Sequence, residues 1–325
     1  MSGTVRMRLA SAACILLILG SPAARAADFP RKPVRFLVGY APGGGTDVLA
    51  RVIARRLSDT WGQAVVAENR AGAGGTIAAN LVAHAPPDGY TILMITTNHT
   101  VPSSEYKNPG YDPIRSFAPV VEIAYIPSAL LINTALRVNS AKEFIELARA
   151  RPGQLNFGGT GPGSAQFVDM QLLMASAGIK LTEVTYKGAA PSLLALLSNE
   201  IQVTLAPVTA FLEAIKAGRL KVLAVSGTVR SPLLPDVPTF RETAGLKGFE
   251  GSANWYGIVA PAGTPRNLVL TLHDAVAAAI QAPEVQRLLS DQGFVTIAGS
   301  PEAFGARIAA DLSKWARLAK TMDGK

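Results

Sequence analysis

Short apolar runs alternate with segments of helical periodicity along almost the whole of this 325-residue chain. The run Val34–Val38 predicts a buried strand, and residues 47–58 then place five apolar side chains at the spacing of one helical face. Seven more strands are predicted in the same way, at residues 64–67, 91–96, 128–132, 155–157, 182–186, 201–205 and 222–226. A regular alternation of this kind favours an α/β fold with largely parallel sheets.

Three helix starts carry capping signals. The segment Ser140-Ala141-Lys142-Glu143 has the form of a capping box, in which a serine and a glutamate satisfy backbone N–H groups at the start of a helix. Thr264-Pro265 and Ser300-Pro301 each place a capping residue before a proline, which predicts helices that begin at Pro265 and Pro301.

The N-terminus has the pattern of an export signal. Arg6 and Arg8 precede an apolar run of 12 residues at 9–20, and Ala24-Arg25-Ala26 supplies small residues before a cleavage point. The pattern predicts a secretory signal peptide at residues 1–26, because the run is shorter than the ~20 residues needed to cross a bilayer. A competing interpretation makes Cys14 a lipidation site.

The composition of the exported chain excludes several kinds of chemistry. Cys14 is the only cysteine, so the 299 residues that follow the signal contain none, and the histidines are His84, His99 and His273. Thiol catalysis and sulfur-ligated metals are thereby excluded, and no cofactor motif is present. The 28 Lys and Arg against 23 Asp and Glu leave a net charge of +5, which is too small and scattered for a nucleic-acid partner.

The length suggests more than one domain, because single cores stop growing near 250–300 residues. Two extended apolar segments, 120–133 and 252–260, are candidates for strands that cross between domains. The predicted division has a discontinuous first domain of residues 27–126 plus 254–325. The second domain, residues 127–253, is inserted between them.

Four glycine-rich turns follow predicted strands and precede predicted helices. They are GYAPGGGTD at 39–47, NRAGAGGT at 69–76, FGGTGPGS at 157–164 and YKGAA at 186–190. In open α/β sheets ligands bind beyond the strands' carboxyl ends, and helix N-termini there offer free N–H groups to an anion. Each turn has a second interpretation as a tight connection only, but four together predict an anion site.

Nucleotide and hydrolase motifs are missing from these turns. None has the lysine of the Walker pattern or the third glycine of GxGxxG, and the chain lacks G-x-S-x-G and H-E-x-x-H. An enzyme on this scaffold, a hydrolase or an isomerase, would have to use Asp47, Ser164 or His99.

Nine phrases of the sequence occur in register in one known family: PRKPVRFLVGYAPGGGTDVLAR, VAENRAGAGGTIAA, PPDGYTILM, YDPIRSFAPV, LNFGGTGPGS, VTYKGAAPSLLALL, IKAGRLKVLAVSG, LPDVPTF and WYGIVAPAGTP. They extend over residues 29–265. The chain thus resembles the periplasmic solute-binding proteins of tripartite tricarboxylate transporters, often called Bug receptors. The resemblance implies a two-lobed α/β fold of the type II, Venus-flytrap class, with a two-strand hinge.

The resemblance also implies a function. Such a receptor has no catalytic activity, cofactor or metal. It works as a periplasmic monomer that captures a small carboxylate between its lobes and delivers it to permease subunits in the membrane. A sensor or orphan receptor that docks on a membrane regulator is an alternative. Carried onto this chain, the implied ligand-binding residues are Tyr40, Gly44, Gly45, Thr46, Asp47, Gly74, Thr76, Thr97, Asn98, Thr160, Gly161, Ser164, Tyr186, Gly188, Ala189 and Pro207.

One segment departs from the family pattern. Ala206-Pro207-Val208 stands where many members place an acidic residue. We expect this apolar segment to face the cleft and to influence the far end of the ligand. Phe167 has two interpretations, as part of that lining or as a core residue.

Overall fold

The computed structural model describes residues 29–100, 109–159, 161, 165–186, 188–243, 249 and 254–323. The predicted signal peptide and Cys14 lie outside these residues. The strands are β1 (Val34–Val38), β2 (Val65–Asn69), β3 (Thr91–Thr96), β4 (Phe117–Ile126), β5 (Ser128–Asn133), β6 (Asn156–Gly159), β7 (Thr182–Thr185), β8 (Val203–Pro207), β9 (Leu220–Val225), β10 (Asn254–Pro261) and β11 (Val295–Gly299). The helices are α1 (Gly45–Trp61), α2 (Thr76–Ala83), α3 (Ala141–Ala150), α4 (Ala165–Ala177), α5 (Ala189–Leu197), α6 (Leu212–Lys216), α7 (Arg266–Gln281), α8 (Pro283–Asp291) and α9 (Pro301–Asp323).

The strands form two mixed sheets. The order is β11-β4-β10-β3-β1-β2 in the six-stranded sheet and β7-β6-β8-β5-β9 in the five-stranded sheet. β1 pairs in parallel with β2 and β3, and β6 pairs in parallel with β7 and β8. Both sheets also contain antiparallel pairs: β10 with β3 and β4, and β11 with β4, in the first sheet, and β5 with β8 and β9 in the second. We call the six-stranded sheet with α1, α2 and α7–α9 lobe 1, and the five-stranded sheet with α3–α6 lobe 2.

The central strands of both sheets are buried on both faces. In lobe 1 one apolar cluster lies under α1 and α7, around Phe36, and another lies under α2 and α9, around Trp255. Lobe 2 repeats this arrangement with clusters around Phe144 and Phe211. Fully covered parallel strands of this kind explain why the sequence shows continuous apolar runs instead of strict alternation.

The connections between the lobes bring the carboxyl ends of the two sets of parallel strands together. β4 ends at Ile126, and after Pro127 the chain enters lobe 2 at Ser128. Ser128 pairs with Pro207 at the carboxyl end of β8, and on the return Asn254 pairs with Ile126. The carboxyl edges of the two sheets therefore meet at the crossing strands, which is where the two-strand hinge is predicted.

All eight predicted strands are present, with shifts of up to two residues at either end. β11 was not predicted. The capping box at α3 is confirmed, since Ser140 Oγ accepts from the Glu143 N–H at 3.1 Å and Asn139 N–H donates to the Glu143 carboxylate at 2.9 Å. α9 begins at Pro301 as predicted.

The predicted start of α7 was wrong by one residue. Pro265 is the N-cap residue and the helix begins at Arg266. The Thr264 hydroxyl does not cap the helix but donates back to the Pro261 carbonyl at 2.7 Å. The division into domains at residues 126–127 and 253–254 stays a prediction, although strands change sheet at these places.

Candidate functional site

Three helices begin at the carboxyl edges of the sheets with a glycine as N-cap. Gly44 precedes α1, Gly75 precedes α2 and Gly188 precedes α5, and none of these starts has a side-chain cap. α3, which begins elsewhere, has the ordinary serine cap. Uncapped N-termini leave backbone N–H groups free and carry partial positive charge. The starts of α1 and α5 can therefore bind an anion from outside the chain, whereas at α2 the N–H groups of Gly75 and Thr76 already donate to the Gly72 and Ala73 carbonyls.

The first turn keeps open space in front of α1. A Cβ atom on Gly44 would meet nothing closer than 3.8 Å, and one on Gly45 would meet Phe294 at 3.6 Å and the Tyr256 hydroxyl at 3.9 Å. The glycines at these two positions are therefore not required by packing. Thr46, the second residue of α1, is 8% exposed.

Other glycines in the same turns are explained by packing alone. A Cβ atom on Gly39 would lie 2.7 Å from the Gly75 Cα, which shows how closely the first and second turns approach. In lobe 2, Cβ atoms on Gly158 and Gly159 would collide with Ile201 and Glu183. The sequence signal of clustered glycine thus combines two causes, close packing between turns and free space at helix starts.

Asp47 is occupied by contacts within the protein. Its carboxylate accepts from the Gly43 N–H at 3.0 Å, from Arg51 Nε at 2.9 Å and from Asn69 Nδ2 at 2.8 Å. Burial alone would raise the pKa of this carboxyl, but the hydrogen bonds from Arg51, Gly43 and Asn69 outweigh it, so the pKa lies below its ordinary value. The charge of Asp47 stabilises the first turn and is compensated by Arg51.

Tyr40 ties the turns of lobe 1 together. Its hydroxyl donates to the Gly74 carbonyl at 3.1 Å and lies 2.8 Å from Thr96 Oγ1, which also accepts from the Asn98 N–H at 3.3 Å. Burial raises the pKa of Tyr40, so the phenol stays protonated. Asn98 itself is exposed, and Gly74 has a left-handed φ of 63°.

Two predicted threonines have hydroxyls engaged within lobe 1. Thr97 is 2% exposed and its Oγ1 accepts from the Trp255 N–H at 3.0 Å. Thr76, the first residue of α2, has its hydroxyl hydrogen-bonded to Tyr111. The Thr76 N–H is also taken, since it donates to the Ala73 carbonyl. The assignment of both threonines as ligand-binding residues stays a prediction.

In lobe 2 the structure describes only part of the predicted site. Gly161 is buried with φ 92°, Gly188 has φ 116°, and Ala189 is the first residue of α5. The Tyr186 hydroxyl points to the opposite end of β8, where it donates to Glu200 Oε1 at 2.8 Å; burial and this carboxylate raise the pKa of Tyr186 to about 12. Thr160 and Ser164 lie outside the described residues.

The apolar segment at the end of β8 contributes less surface than expected. Ala206 is 2% exposed and Val208 is fully buried, both in the core of lobe 2, so Pro207 alone of the three is partly exposed at the sheet edge. Phe167 is 6% exposed and packs in the other core of lobe 2. Its interpretation as a core residue is the one that the structure favours.

His99 packs among aromatic rings. It stacks on Tyr111 at 5.8 Å, meets Phe117 edge-on at 5.1 Å, and its Nε2 lies 3.0 Å from the Pro113 carbonyl. Burial lowers the pKa of His99 to about 4. Within the described residues no group of three or more His, Cys, Asp or Glu side chains could hold a metal ion, and no helix is long and apolar enough to cross a membrane.

Tyr256 lies at the candidate site, although no role for it was predicted from the sequence. It lies on β10 opposite Thr96, at the carboxyl edge of lobe 1, and its hydroxyl is close to Gly45. The WYG phrase is the only sequence signal that could have identified Tyr256. Neighbouring strand residues point to opposite faces, and because Trp255 packs on the α2 side of the sheet, Tyr256 lies on the α1 side. Its proximity to the first turn depends on strand order and not on local pattern.

Comparisons with known proteins agree with this architecture. Residues 49–323 match the model of the tripartite tricarboxylate transporter family receptor. A UPF0065 protein from the tcbD-tcbE intergenic region of Pseudomonas sp. (strain P51) is 37% identical over 313 residues, which cover 96% of this chain and 93% of that protein.

Two solved structures of similar proteins contain carboxylates. R. palustris Rpa4515 with adipate is 36% identical, with a TM-score of 0.71 over 90% of this chain and 98% of that one. MatC (Rpa3494) from Rhodopseudomonas palustris with bound malate is 31% identical, with a TM-score of 0.66 over 88% of this chain and 98% of that one. The match extends over most of the chain and includes both lobes, so this protein is a member of the tripartite tricarboxylate transporter receptor family.

Proposed function

We propose that this protein is a periplasmic receptor that binds a small carboxylate between its lobes and delivers it to the permease subunits of a tripartite tricarboxylate transporter. The observation that carries the proposal is the placement of two glycine-capped helix starts, α1 in lobe 1 and α5 in lobe 2, at sheet edges that meet where the chain crosses between the lobes. The adipate and malate in the two similar structures support the ligand class.

The ligand is held by closure of the two lobes. One carboxylate group first meets the free N–H groups of Gly45 and Thr46, and the turn at Gly188 and Ala189 then completes the set of donors. Closure removes water from the cleft, which strengthens hydrogen bonds to the charged group. About half a dozen such bonds at ~1.5–3 kcal/mol each, less the cost of ordering, correspond to a Kd in the micromolar range or below.

No catalytic step is part of this proposal. Asp47 is committed to Gly43, Arg51 and Asn69, and His99 is enclosed by aromatic rings, so neither is a free acid or base in the cleft. The receptor works without a cofactor or metal, as an exported monomer after loss of residues 1–26.

A thermal-shift screen tests the proposal. The chain without residues 1–26 is heated with about a hundred small carboxylates, adipate and malate among them, and with amides of the same shape. A native-state ligand raises the melting temperature by mass action, so we expect a rise of several degrees for one class of carboxylate and none for the amides. A rise with neutral compounds alone would contradict the anion site.

If no compound raises the melting temperature, a second measurement shows whether the cleft already holds a ligand. Mass spectrometry of the supernatant from the denatured protein detects a ligand that was purified with it. A released carboxylate supports the proposal, and a protein that neither releases nor binds any acid contradicts it.

A further inference from the structure

The hydroxyl of Tyr256 is a buried hydrogen-bond donor in front of α1. Tyr256 is 5% exposed, and its ring packs edge-on against Phe294, with centroids 5.3 Å apart and an interplanar angle of 67°. The hydroxyl would lie 3.9 Å from a Cβ atom on Gly45, the first residue of α1. It is therefore directed at the space that the glycines leave open.

This hydroxyl has an unused hydrogen. Asn254 Nδ2 donates to the Tyr256 hydroxyl oxygen at 2.9 Å. Within the described residues this is the one hydrogen bond that the Tyr256 side chain makes. A phenol can donate one hydrogen bond as well as accept. A buried donor without an acceptor costs about 1–3 kcal/mol, and such groups in native proteins call for an explanation.

The neighbouring phenol of Tyr40 shows the contrast. Tyr40 donates to the Gly74 carbonyl, so its hydrogen is used within the protein. Burial raises the pKa of Tyr256, and the Tyr40 phenol adds to the effect. Tyr256 therefore stays protonated at neutral pH and remains a donor.

Most of the polar groups around this space are donors, and the Ala41 carbonyl oxygen, 3.8 Å from a Cβ atom on Gly44, is an acceptor beside it. The first N–H groups of α1 have no side-chain cap, the Tyr256 O–H has no acceptor among the described residues, and Asp47, the nearby carboxylate, is taken up by its three partners. An oxygen that carries negative charge satisfies all of these donors. An ammonium or an amide NH₂ would place hydrogen against hydrogen.

Building on the proposed function, we infer that the Tyr256 hydroxyl donates to the ligand's acid group at the start of α1 and selects a carboxylate over an amine or amide at that end. Asn254 positions the hydroxyl through its own hydrogen bond. Tyr256 is thus a specificity-determining residue of lobe 1.

The test compares Tyr256→Phe with wild type by calorimetric titration with succinate, glutarate and adipate and with the monoamide of each. Tyr256→Phe removes only the hydroxyl, so we expect acid affinity to fall about 10- to 100-fold, as for loss of one bond to a charged group. The preference for acid over monoamide should fall with it. Tyr256→Phe also leaves Asn254 Nδ2 without its acceptor, but Asn254 is partly exposed and can turn to water, so the melting temperature of the unliganded protein should fall by no more than a few degrees.

Tyr90→Phe is the matched control. Tyr90 precedes β3 at the far edge of the sheet, and its hydroxyl accepts from the Arg31 N–H. The affinity of this variant for each acid should stay within about twofold of wild type, because the hydroxyl that it loses lies outside the cleft.

A double-mutant cycle with Gly45→Ala gives a second readout. The added methyl group lies beside the Tyr256 hydroxyl, so the two substitutions should be non-additive, as expected for neighbours that act on one group. Unchanged acid affinity in Tyr256→Phe, or full additivity, would overturn the assignment of Tyr256 alone. If wild type binds neither these acids nor any carboxylate of the thermal-shift screen, the proposed function itself fails.

Discussion

Lys314 on α9 lies 3.5 Å from the Asp169 carboxylate on α4, so an ion pair joins the last helix of lobe 1 to lobe 2. The Asp169 side chain is 3% exposed, whereas that of Lys314 is 25% exposed. One turn earlier on the same helix, Asp311 accepts from Trp255 Nε1 at 2.6 Å. α9 thus contacts both the crossing strand β10 and the second lobe.

We predict that Lys314→Gln lowers the free energy of unfolding by about 1–2 kcal/mol. Removal of one partner leaves a buried charge less well compensated, although the partial exposure of Lys314 reduces the cost below that of a fully buried pair. Urea denaturation measures the change. Lys142→Gln, which breaks an exposed pair with Glu146 at 4.0 Å, is the matched control and should cost less than about 0.5 kcal/mol. Equal losses of stability in the two variants would show that the Lys314–Asp169 pair stabilises the fold no more than an exposed pair does.

Gly45→Ala should separate stability from binding. Alanine favours a helix over glycine and its Cβ meets nothing closer than 3.6 Å, so stability should not fall. The methyl group nevertheless occupies the open space before α1, and we expect affinity for the carboxylate to fall at least ~10-fold, a loss of about 1.4 kcal/mol. Thermal melting and calorimetry measure the two effects.

Gly305→Ala provides the comparison for that variant. Gly305 lies inside α9, where a Cβ atom would meet Pro119 at 3.4 Å, an ordinary contact. We expect about 0.5–1 kcal/mol of added stability and unchanged affinity. Weaker binding by Gly305→Ala, or unchanged binding by Gly45→Ala, would contradict the assignment of the first turn.

The buried imidazole of His99 predicts a stability that depends on pH. The pKa is about 4 in the folded protein, below the value of ~6.5 expected in the unfolded chain. The contribution is therefore complete above pH ~6.5 and is lost as the pH falls toward 4, by about 2–3 kcal/mol at pH 4.5. Denaturation of wild type and His99→Gln at several pH values measures this, and the curves should converge or cross as the pH falls. A constant difference from pH 7 to pH 4.5 would show that His99 titrates normally.

The carboxylate of Asp47 predicts a loss of folding stability at lower pH. Its folded pKa is lowered, so the charge of the carboxylate stabilises the fold above the unfolded value of ~3.9, and this contribution is lost as the pH falls through the folded pKa. We expect Asp47→Asn to cost about 1–3 kcal/mol at pH 7, since charge-assisted bonds to Arg51 and Gly43 are weakened. The cost should shrink when unfolding is measured near pH 3. A cost that does not change with pH would mean that shape, and not charge, is what matters at this position.

Much of the fold could be predicted from the sequence because the buried parallel strands and amphipathic helices leave periodic signals. β11 escaped prediction because it is an edge strand with partly exposed residues and no continuous apolar run. The start of α7 was misplaced because Thr264 uses its hydroxyl on the Pro261 carbonyl instead of the helix.

The site was only partly predictable for a different reason. The glycine-rich turns are local patterns, so Gly44, Gly45 and Gly188 could be found at helix starts. Tyr256 lies more than 200 positions from Gly45, and only the insertion of β10 beside β3 brings them together. Nor does local pattern reveal that the Tyr186 hydroxyl turns toward Glu200.

The most direct test of the central claim is a glycine-selective ¹⁵N NMR titration of the chain without residues 1–26 with the best carboxylate from the screen. We expect the amide signals of Gly45 and Gly188, assigned by substitution, to move downfield together as the N–H groups at the two helix starts bind the anion. Tight binding that leaves both signals in place, with shifts confined to other glycines, would contradict it.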